Sequence, residues 1–552
     1  MARFRAVVVL LAFSLALAPL PGAAQAPRPA AASAIDLFPD DAFGYLEVQL
    51  RAEGEQGQRL DRLVRGILGQ PELEARWAWL ELIPLLVRTA AVGAYPRGET
   101  VEWLAALGTD EPAALLSLVL LSRRENAPRA VEAYGGSGLY EFEGNTPVYM
   151  AAASRYLLLA GSRDALAAGI DRARAGAGAP PGLATAPDYR TATARLPAAR
   201  IATGYFYGAG LARWIGSDDP AAAAERLRSP RGTPPPELPP GEPQRGPRGA
   251  PPELPLGAPP RAGLSPAMTQ LAGMAGALAL TFEADGLRAV VVSREAGEGA
   301  VARQIPSTDS ALGLIPRDAL LAVAGHGVGR AVSEQLARRA QPVELPSVPG
   351  LDWQADLLSW MDGEWGLAIA PPEPGAPRLG DFPLPGATLL FEVADPPTVE
   401  GKLRNLARVA ASQGLVPSGE PREEREGDVQ VRRLAIFEGV ELTWGYLGRW
   451  LFISTGSSAP LARAQAAGGL VASPEYARVA RYLPRPNTGV AYVNIPGAVR
   501  WLESLDAGPL TRIPADERWW RPLLARMGVL ATAAGVPRDA WQESVVMLEV
   551  QP

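Results

Sequence analysis

Cysteine is absent from the 552-residue chain, and histidine occurs once, as His326. The first absence excludes disulfides, thiolate metal sites, cysteine nucleophiles and a lipid-modified N-terminal cysteine. The second excludes a multi-histidine metal centre and obliges any Ser-His-Asp triad to use His326. Lysine is reduced to Lys402, so every other basic side chain is arginine. Arginine-favouring codon usage and selection for carboxylate or phosphate binding both produce that bias. The formal charge of −6 is small for the length and gives no reason to expect nucleic-acid binding, which rests on concentrated Lys and Arg. Beyond the N-terminus, no apolar run reaches the length of a membrane-spanning helix.

What is present starts with Met1–Ala26, which reads as a secretory signal peptide. Arg3 and Arg5 precede the apolar run Ala6–Leu17, and Ala24-Gln25-Ala26 is a small-x-small cleavage site. An uncleaved anchor is the alternative, though the run is short for a span. Residues 27–36 form an Ala/Pro-rich tether, and the expected location is exported, periplasmic or extracellular.

The rest of the chain repeats itself. Met150–Ser162 (MAAASRYLLLAGS) has a counterpart in Trp444–Ser457 (WGYLGRWLFISTGS), with Arg155-Tyr156-Leu157 standing where Arg449-Trp450-Leu451 stands. Leu314–Leu320 matches Leu37–Phe43, and Leu357–Pro371 matches Leu82–Pro96. Thr388–Val393 and the helix after Pro396-Pro397 are paired with Leu118–Arg123 and a helix after Pro128. Ser473-Pro474-Glu475-Tyr476 matches Ala186-Pro187-Asp188-Tyr189, and the spacing from Pro187 to Pro197 to Trp214 recurs from Pro474 to Pro484 to Trp501. Ordered self-similarity of this kind indicates duplication. The expected fold class is α+β: two homologous halves, residues 37–300 and 310–552, each an antiparallel sheet with helices on one face. The two sheets stay separate or join edge to edge; joining covers two exposed edges and is favoured.

Within this frame, alternation and periodicity predict strands at Gly44–Leu50, Thr89–Tyr95, Leu115–Ser122, Ile201–Tyr207, Ala277–Glu283, Leu287–Ser293 and Ser544–Val550. Gly138–Glu143, Pro147–Ala151 and Tyr156–Ala160 read as a meander. Helices are expected at Gly57–Gln70, Pro71–Leu86, Pro128–Tyr134, Arg163–Arg174 capped by Ser162, Pro187–Leu196 and Pro266–Ala275. Gly216–Ser265 breaks the pattern. It is dense in Pro, Gly and Arg, and Pro235–Pro239 returns as Pro251–Pro255 (PPELP). It reads as a disordered insertion, partly polyproline II, in the first half.

Three stretches resemble a family of secreted bacterial proteins known only as a domain of unknown function. They are Leu37–Val48 with Leu314–Val323, Asp356–Glu364 with its apolar helix ending at Gly363-Glu364, and Leu483–Asn494 with Gly489, Tyr492 and Asn494. The first half departs most, with Arg88-Thr89 in place of Gly363-Glu364. The resemblance implies no catalytic residues.

The chemistry is sparse. Gly325-His326-Gly327-Val328-Gly329 looks like a dinucleotide loop, but Arg330 stands where that motif needs a third glycine. The adjacent acids Asp40-Asp41, Asp218-Asp219 and Glu423-Glu424 point to opposite sides on a strand and rarely share a site. The best surface candidate is Arg518-Trp519-Trp520-Arg521, since Arg beside Trp is a common interface anchor. No catalytic, cofactor or metal site is expected. The favoured reading is a non-catalytic binding or scaffold component of the bacterial envelope, its partner unknown. A carrier of an apolar, lipid-like ligand and a carboxylate-dependent hydrolase are the alternatives.

Overall fold

The computed structural model describes residues 33–550 apart from 52–53, 69–85, 98–99, 123–127, 143–146, 176–179, 209–273, 296–304, 338–351, 373–375, 377, 380–381, 438–439 and 506–520. The expected helices Pro71–Leu86 and Pro266–Ala275 fall wholly or mainly outside the described residues, as do the insertion Gly216–Ser265 and the signal segment.

Twenty described strands form one antiparallel sheet. The first ten are β1 (Gly44–Gln49), β2 (Thr89–Arg97), β3 (Thr100–Gly108), β4 (Arg129–Tyr134), β5 (Ser137–Phe142), β6 (Val148–Ala153), β7 (Tyr156–Ala160), β8 (Ala202–Tyr207), β9 (Met274–Glu283) and β10 (Gly286–Glu295). The next ten are β11 (Leu321–His326), β12 (Glu364–Ala370), β13 (Gly386–Glu392), β14 (Arg422–Glu426), β15 (Val429–Phe437), β16 (Val440–Leu447), β17 (Trp450–Ser454), β18 (Asn487–Asn494), β19 (Met527–Gly535) and β20 (Gln542–Val550). Their pairings give the spatial order 4-5-6-7-3-2-1-8-9-10 followed by 20-19-18-11-12-13-17-16-15-14. Counted inward from either edge, the connectivity is the same strand for strand. The two series join edge to edge where β10 pairs with β20, Val290 facing Val545.

Corresponding backbone hydrogen bonds support the same correspondence. Phe43 N donates to Ala94 O as Leu320 N does to Ile369 O, and Tyr207 N to Phe43 O as Asn494 N to Leu320 O. Leu183 N to Phe38 O recurs as Leu470 N to Ile315 O, and Thr109 N to Arg155 O as Val393 N to Arg449 O.

Helices cover both faces, which corrects the expectation of helices on one. The described helices are α1 (Gly54–Leu68), α2 (Pro112–Ser122), α3 (Arg163–Ala175), α4 (Pro187–Thr193), α5 (Val328–Ala337), α6 (Pro396–Ser412), α7 (Ala459–Ala467), α8 (Pro474–Ala480), α9 (Ile495–Glu503) and α10 (Arg521–Arg526). On the first face, α3, α4, α7 and α8, with short 3₁₀ turns such as Ala34–Leu37 and Leu470–Ala472, seal a core that is continuous from one half to the other. On the second face, α2 lies over β6 and β7, α1 over β9, α6 against the Phe391–Trp444–Leu451 cluster and α9 over β19. The cause is visible in β7 and β17. Tyr156 and Leu158 point to the first face and Leu157 to the second; Trp450 and Phe452 alternate with Leu451 in the same way. An apolar run without alternation belongs to a strand buried on both sides.

Two further expectations fail in one place. Leu115–Ser122 is not a strand but most of α2, and Pro128–Tyr134 is not a helix but contains edge strand β4. Pro112 fits the first helical turn, where its missing N–H costs nothing, and Thr109 Oγ1 accepts from Glu111 N at 3.2 Å. The Ala and Leu that follow favour helix, and an all-round apolar sequence carries no period to separate helix from strand. The strand equivalent to β13 is therefore β3, so the pairing of Thr388–Val393 with Leu118–Arg123 is one element out of step. The meander, α1, α3, α4, β2, β8 and β10 stand where expected, within a few residues of the predicted ends.

The seam yields a test of this two-faced burial. Val545 is fully buried on the first face, whereas its neighbour Val546 is 36% exposed on the second. Val545→Thr should cost about 1–3 kcal/mol, because the new hydroxyl is desolvated, and Val546→Thr no more than about 0.5 kcal/mol, as expected away from buried features. Urea-denaturation midpoints compare the two, and equal shifts would contradict the assignment of faces.

Candidate functional site

The seam between β10 and β20 is bordered on the first face by α4 and α8. Each helix starts with a proline and packs a tyrosine edge-on against a strand tyrosine: Tyr189 on Tyr205 at 5.3 Å, and Tyr476 on Tyr492 at 6.0 Å. Ser473 Oγ caps α8 by accepting from Tyr476 N at 3.0 Å. Each helix is tied to the neighbouring seam strand by one ion pair of opposite polarity. Asp188 of α4 holds Arg294 of β10 at 2.7 Å, while Arg478 of α8 donates to Glu549 of β20 at 2.6 Å.

The residues after each helix then reach across the seam. Arg195 and Arg294 each stack over Trp541, with 5.3 Å from guanidinium carbon to ring centre. Arg481 pairs with Asp285, in the turn between β9 and β10, and lies 4.9 Å over the Tyr482 ring, whose hydroxyl donates to Asp285 at 3.0 Å. Gly528 carries no side chain because Glu549 occupies that space: a Cβ there would lie 2.2 Å from Glu549 Oε2.

Beside α8 an open cavity of about 490 Å³ is lined by Val471, Tyr476, Ala477, Ala480, Arg481, Leu483 and Arg485. Apart from the two guanidinium groups and the Tyr476 hydroxyl, its side-chain lining is hydrocarbon and aromatic ring. Arg485 is exposed and makes no hydrogen bond or ion pair among the described residues; its charge acts on the Asp309 carboxyl.

Asp309 belongs to a polar cluster behind the cavity with Glu364 and Asn487. Glu364 is buried, and its Oε1 accepts from Ser307 Oγ at 2.9 Å and from Thr308 N. Burial pushes the Asp309 carboxyl above its ordinary range; Arg485 and Asn487 pull against that, and Glu364 adds to it. Asp309 Oδ1 and Asn487 Oδ1 are buried without partners. Glu47 in the first half serves as Glu364 does, accepting from Ser33 Oγ at 2.7 Å and Ala34 N at 3.4 Å. Glu426 accepts from Ser458 N at 2.8 Å, Ser458 Oγ at 2.7 Å and Ser457 Oγ at 3.2 Å. Burial alone would raise Glu426; these bonds and Arg433 overcome it and hold the carboxyl below its usual range. These carboxylates, Glu364 buried and Glu47 and Glu426 partly so, thus anchor chain segments.

The residues singled out from sequence are dispersed. Arg518, Trp519 and Trp520 lie outside the described residues. Arg521 opens α10 and is held by Glu503 at 2.5 Å, a staple to α9. His326 ends β11 opposite Glu364, with its Nδ1 buried and unpartnered. The glycine loop after it forms no phosphate cradle: Gly327 N donates to Gly363 O at 3.0 Å, Gly329 N to Met361 O at 3.1 Å and Arg330 N to Asp362 Oδ1 at 3.0 Å. Glu423 pairs with Arg404 and Glu424 with Arg433, so these adjacent acids serve different partners. Among the described residues no group of three or more His, Asp or Glu is placed to hold a metal ion. Sequence reasoning missed Arg481 and Arg485. Their signal was the contrast with Ala194 and Ala198, at the same distances from the equivalent prolines.

Residues 259–550 match the family described as Protein of unknown function (DUF3352), and the chain belongs to it. No curated protein matches the chain. Solved structures of TP0453 are weakly similar: crystal form I at 8% identity and a TM-score of 0.22, covering 43% of this chain and 77% of that one. Crystal form IV gives 11% identity and a TM-score of 0.23, with 45% and 82% covered.

Three variants test this electrostatic reading. Tyr492 OH is fully buried without a partner, and burial raises its pKa well above the usual value. Tyr492→Phe should therefore keep or raise stability, by up to about 1–3 kcal/mol, since it removes an unsatisfied hydroxyl. Asp309, raised, contributes stability that is complete below the unfolded carboxylate range and lost as pH rises through its folded value. Asp309→Asn should accordingly raise the thermal midpoint at neutral pH and change it little in acid. Glu426, depressed, contributes stability present above the unfolded value and lost as pH falls through the folded one. Glu426→Gln should lower the midpoint at neutral pH and not in acid. Melting curves across pH check both signs.

Proposed function

We propose that this member of the DUF3352 family is an exported, non-catalytic binding component of the bacterial cell envelope, built by duplication of one ten-stranded α+β unit. The duplication reading is supported by the matched strand order, the four matched backbone hydrogen bonds and the two tyrosine pairs. On this reading residues 37–300 and 310–552 are the two repeats, and 216–265 is an insertion in the first. Export is supported by the charged start, apolar run and small-x-small site of Met1–Ala26.

The observation that carries the binding reading is the lining of the cavity beside α8. It offers apolar walls and two arginines, with no carboxylate, imidazole, serine or threonine among the lining side chains. A general acid–base or nucleophilic mechanism needs such a group or a tyrosine within hydrogen-bond reach of the substrate, and the lining tyrosine, Tyr476, is buried with its hydroxyl pKa raised well above the usual value by that burial. Asp309 and Glu364, the nearest approach to a carboxylate pair, are not among the lining residues, and Glu364 is committed to Ser307 and Thr308.

Complementation of a deletion strain tests this reading. His326→Asn and Asp309→Asn, made at normal protein level, should restore the envelope phenotype fully. Ala477→Trp, which fills the cavity from the exposed side of α8, should not. Loss of function in either of the first two variants would overturn the non-catalytic reading. The exported protein should also have an intact mass that begins after Ala26.

A further inference from the structure

We propose that the cavity beside α8 binds an amphipathic anion, an alkyl chain ending in a carboxylate or phosphate, and that Arg485 is the residue that reads its head. The inference rests on the binding reading above and adds the chemical class of the ligand.

The lining sets two conditions that one kind of molecule meets. Val471 and Ala477 present hydrocarbon to water at the cavity, Val471 being 42% exposed, and the Tyr476 ring, Ala480 and Leu483 lie buried behind them, so the lining is an apolar wall on one side and cationic on the other. A small hydrophilic anion would leave that wall wet and gain nothing from it. A neutral hydrocarbon would cover the wall but take water from two guanidinium groups without replacing their hydrogen bonds. An alkyl chain with an anionic end covers the wall and pairs the guanidinium. The cavity volume of about 490 Å³ lies within the common range for small-molecule sites, about 300–1,000 Å³.

The two arginines are not equivalent. Arg481 spends Nη2 on Asp285 and Tyr482, and Tyr482 fixes its plane, so it forms a rigid side of the mouth. Arg485 has no such commitment. All five of its donors are unused by the described residues, in a fork that matches carboxylate or phosphate. Two carboxylates lie near it: Asp285 is taken by Arg481 and Tyr482, and Asp309, in the polar cluster with Asn487, feels the charge of Arg485 but makes no ion pair with it.

Comparison of the two halves points to the same residues. Both keep the proline, the helix tyrosine and the strand tyrosine. The positions of Ala477, Arg481 and Arg485 are occupied after Pro187 by Arg190, Ala194 and Ala198, so the cationic mouth belongs to the second half alone. A feature required by the shared packing would be present twice.

Isothermal titration of the full-length mature protein with dodecanoate, dodecyl phosphate and dodecanol tests the proposal. One anion or both should bind at a single saturable site, and dodecanol at least about tenfold more weakly, the loss expected for one charge-assisted interaction. The ratio of the two anions distinguishes a carboxylate head from a phosphate head. Arg485→Gln should weaken the anions by about tenfold or more and leave dodecanol unchanged. Because Arg485 is exposed, Arg485→Gln should stay folded, its melting temperature matching the parent in acid and falling slightly at neutral pH, where Asp309 loses that positive charge. Ala477→Trp should abolish binding of all three. Equal affinity for dodecanol and the anions, or unchanged anion binding in Arg485→Gln, would overturn the proposal. So would failure of both anions to bind. If that failure accompanied loss of complementation in Ala477→Trp, the ligand class would fall and the binding reading would stand; if Ala477→Trp complemented, both would fall.

Discussion

The pairing of β10 with β20 is the interaction on which the rest of this structure depends. It joins two ten-stranded series that would otherwise each expose an apolar edge strand. Val290 and Val545, fully buried and directly opposed, place the join inside the common core rather than on its surface. The runs Ala-Val-Val-Val of β10 and Val-Val-Met-Leu of β20 bury alternate residues on the first face, Val290 and Val292 from one strand and Val545 and Met547 from the other, and leave Val546 partly exposed on the second. The helices at the seam take opposite charges to reach their strands. Asp188 meets Arg294 on one side, and Arg478 meets Glu549 on the other.

This arrangement decides where a ligand site can form. The first face is filled by the core and its layer of helices and 3₁₀ turns. The cavity described opens where that layer meets the seam, against α8 and the chain that leaves it. The equivalent chain after α4 is turned to another use, with Arg195 clamped on Trp541. The chain after α4 thus forms a structural clasp on one side of the seam, and the chain after α8 an open cationic mouth on the other.

Much of the fold was legible because its strongest signals were local. Ser162 as a cap, Pro187 and Pro474 as helix starts and the apolar runs at Tyr156–Ala160 and Trp450–Ser454 each state their own structure. The LLL and LFI runs also implied burial on both faces, and helices on one face alone could not have supplied it. The failure at 112–134 arose where local signals vanish. In Leu115–Ser122 every position suits either a helix or a buried strand, and the choice was made by Pro112 and by packing on β6 and β7. The cavity was illegible for a different reason. Arg481 and Arg485 look like ordinary surface arginines until the fold brings Val471, Tyr476 and Leu483 beside them.

The outer edges of the sheet carry one more consequence. The last strand at one end is Arg-Glu-Glu-Arg-Glu, bound inward through Arg433 and Arg404 to Glu424, Glu426 and Glu423. The strand at the other end begins with Arg129 and carries Glu132, which engage Glu141 and Arg163. Edge strands can recruit further strands, and the molecule already contains one successful edge-to-edge union. Charge at both rims sets them apart from that join: a strand added there would meet a row of paired Arg and Glu side chains rather than an apolar edge.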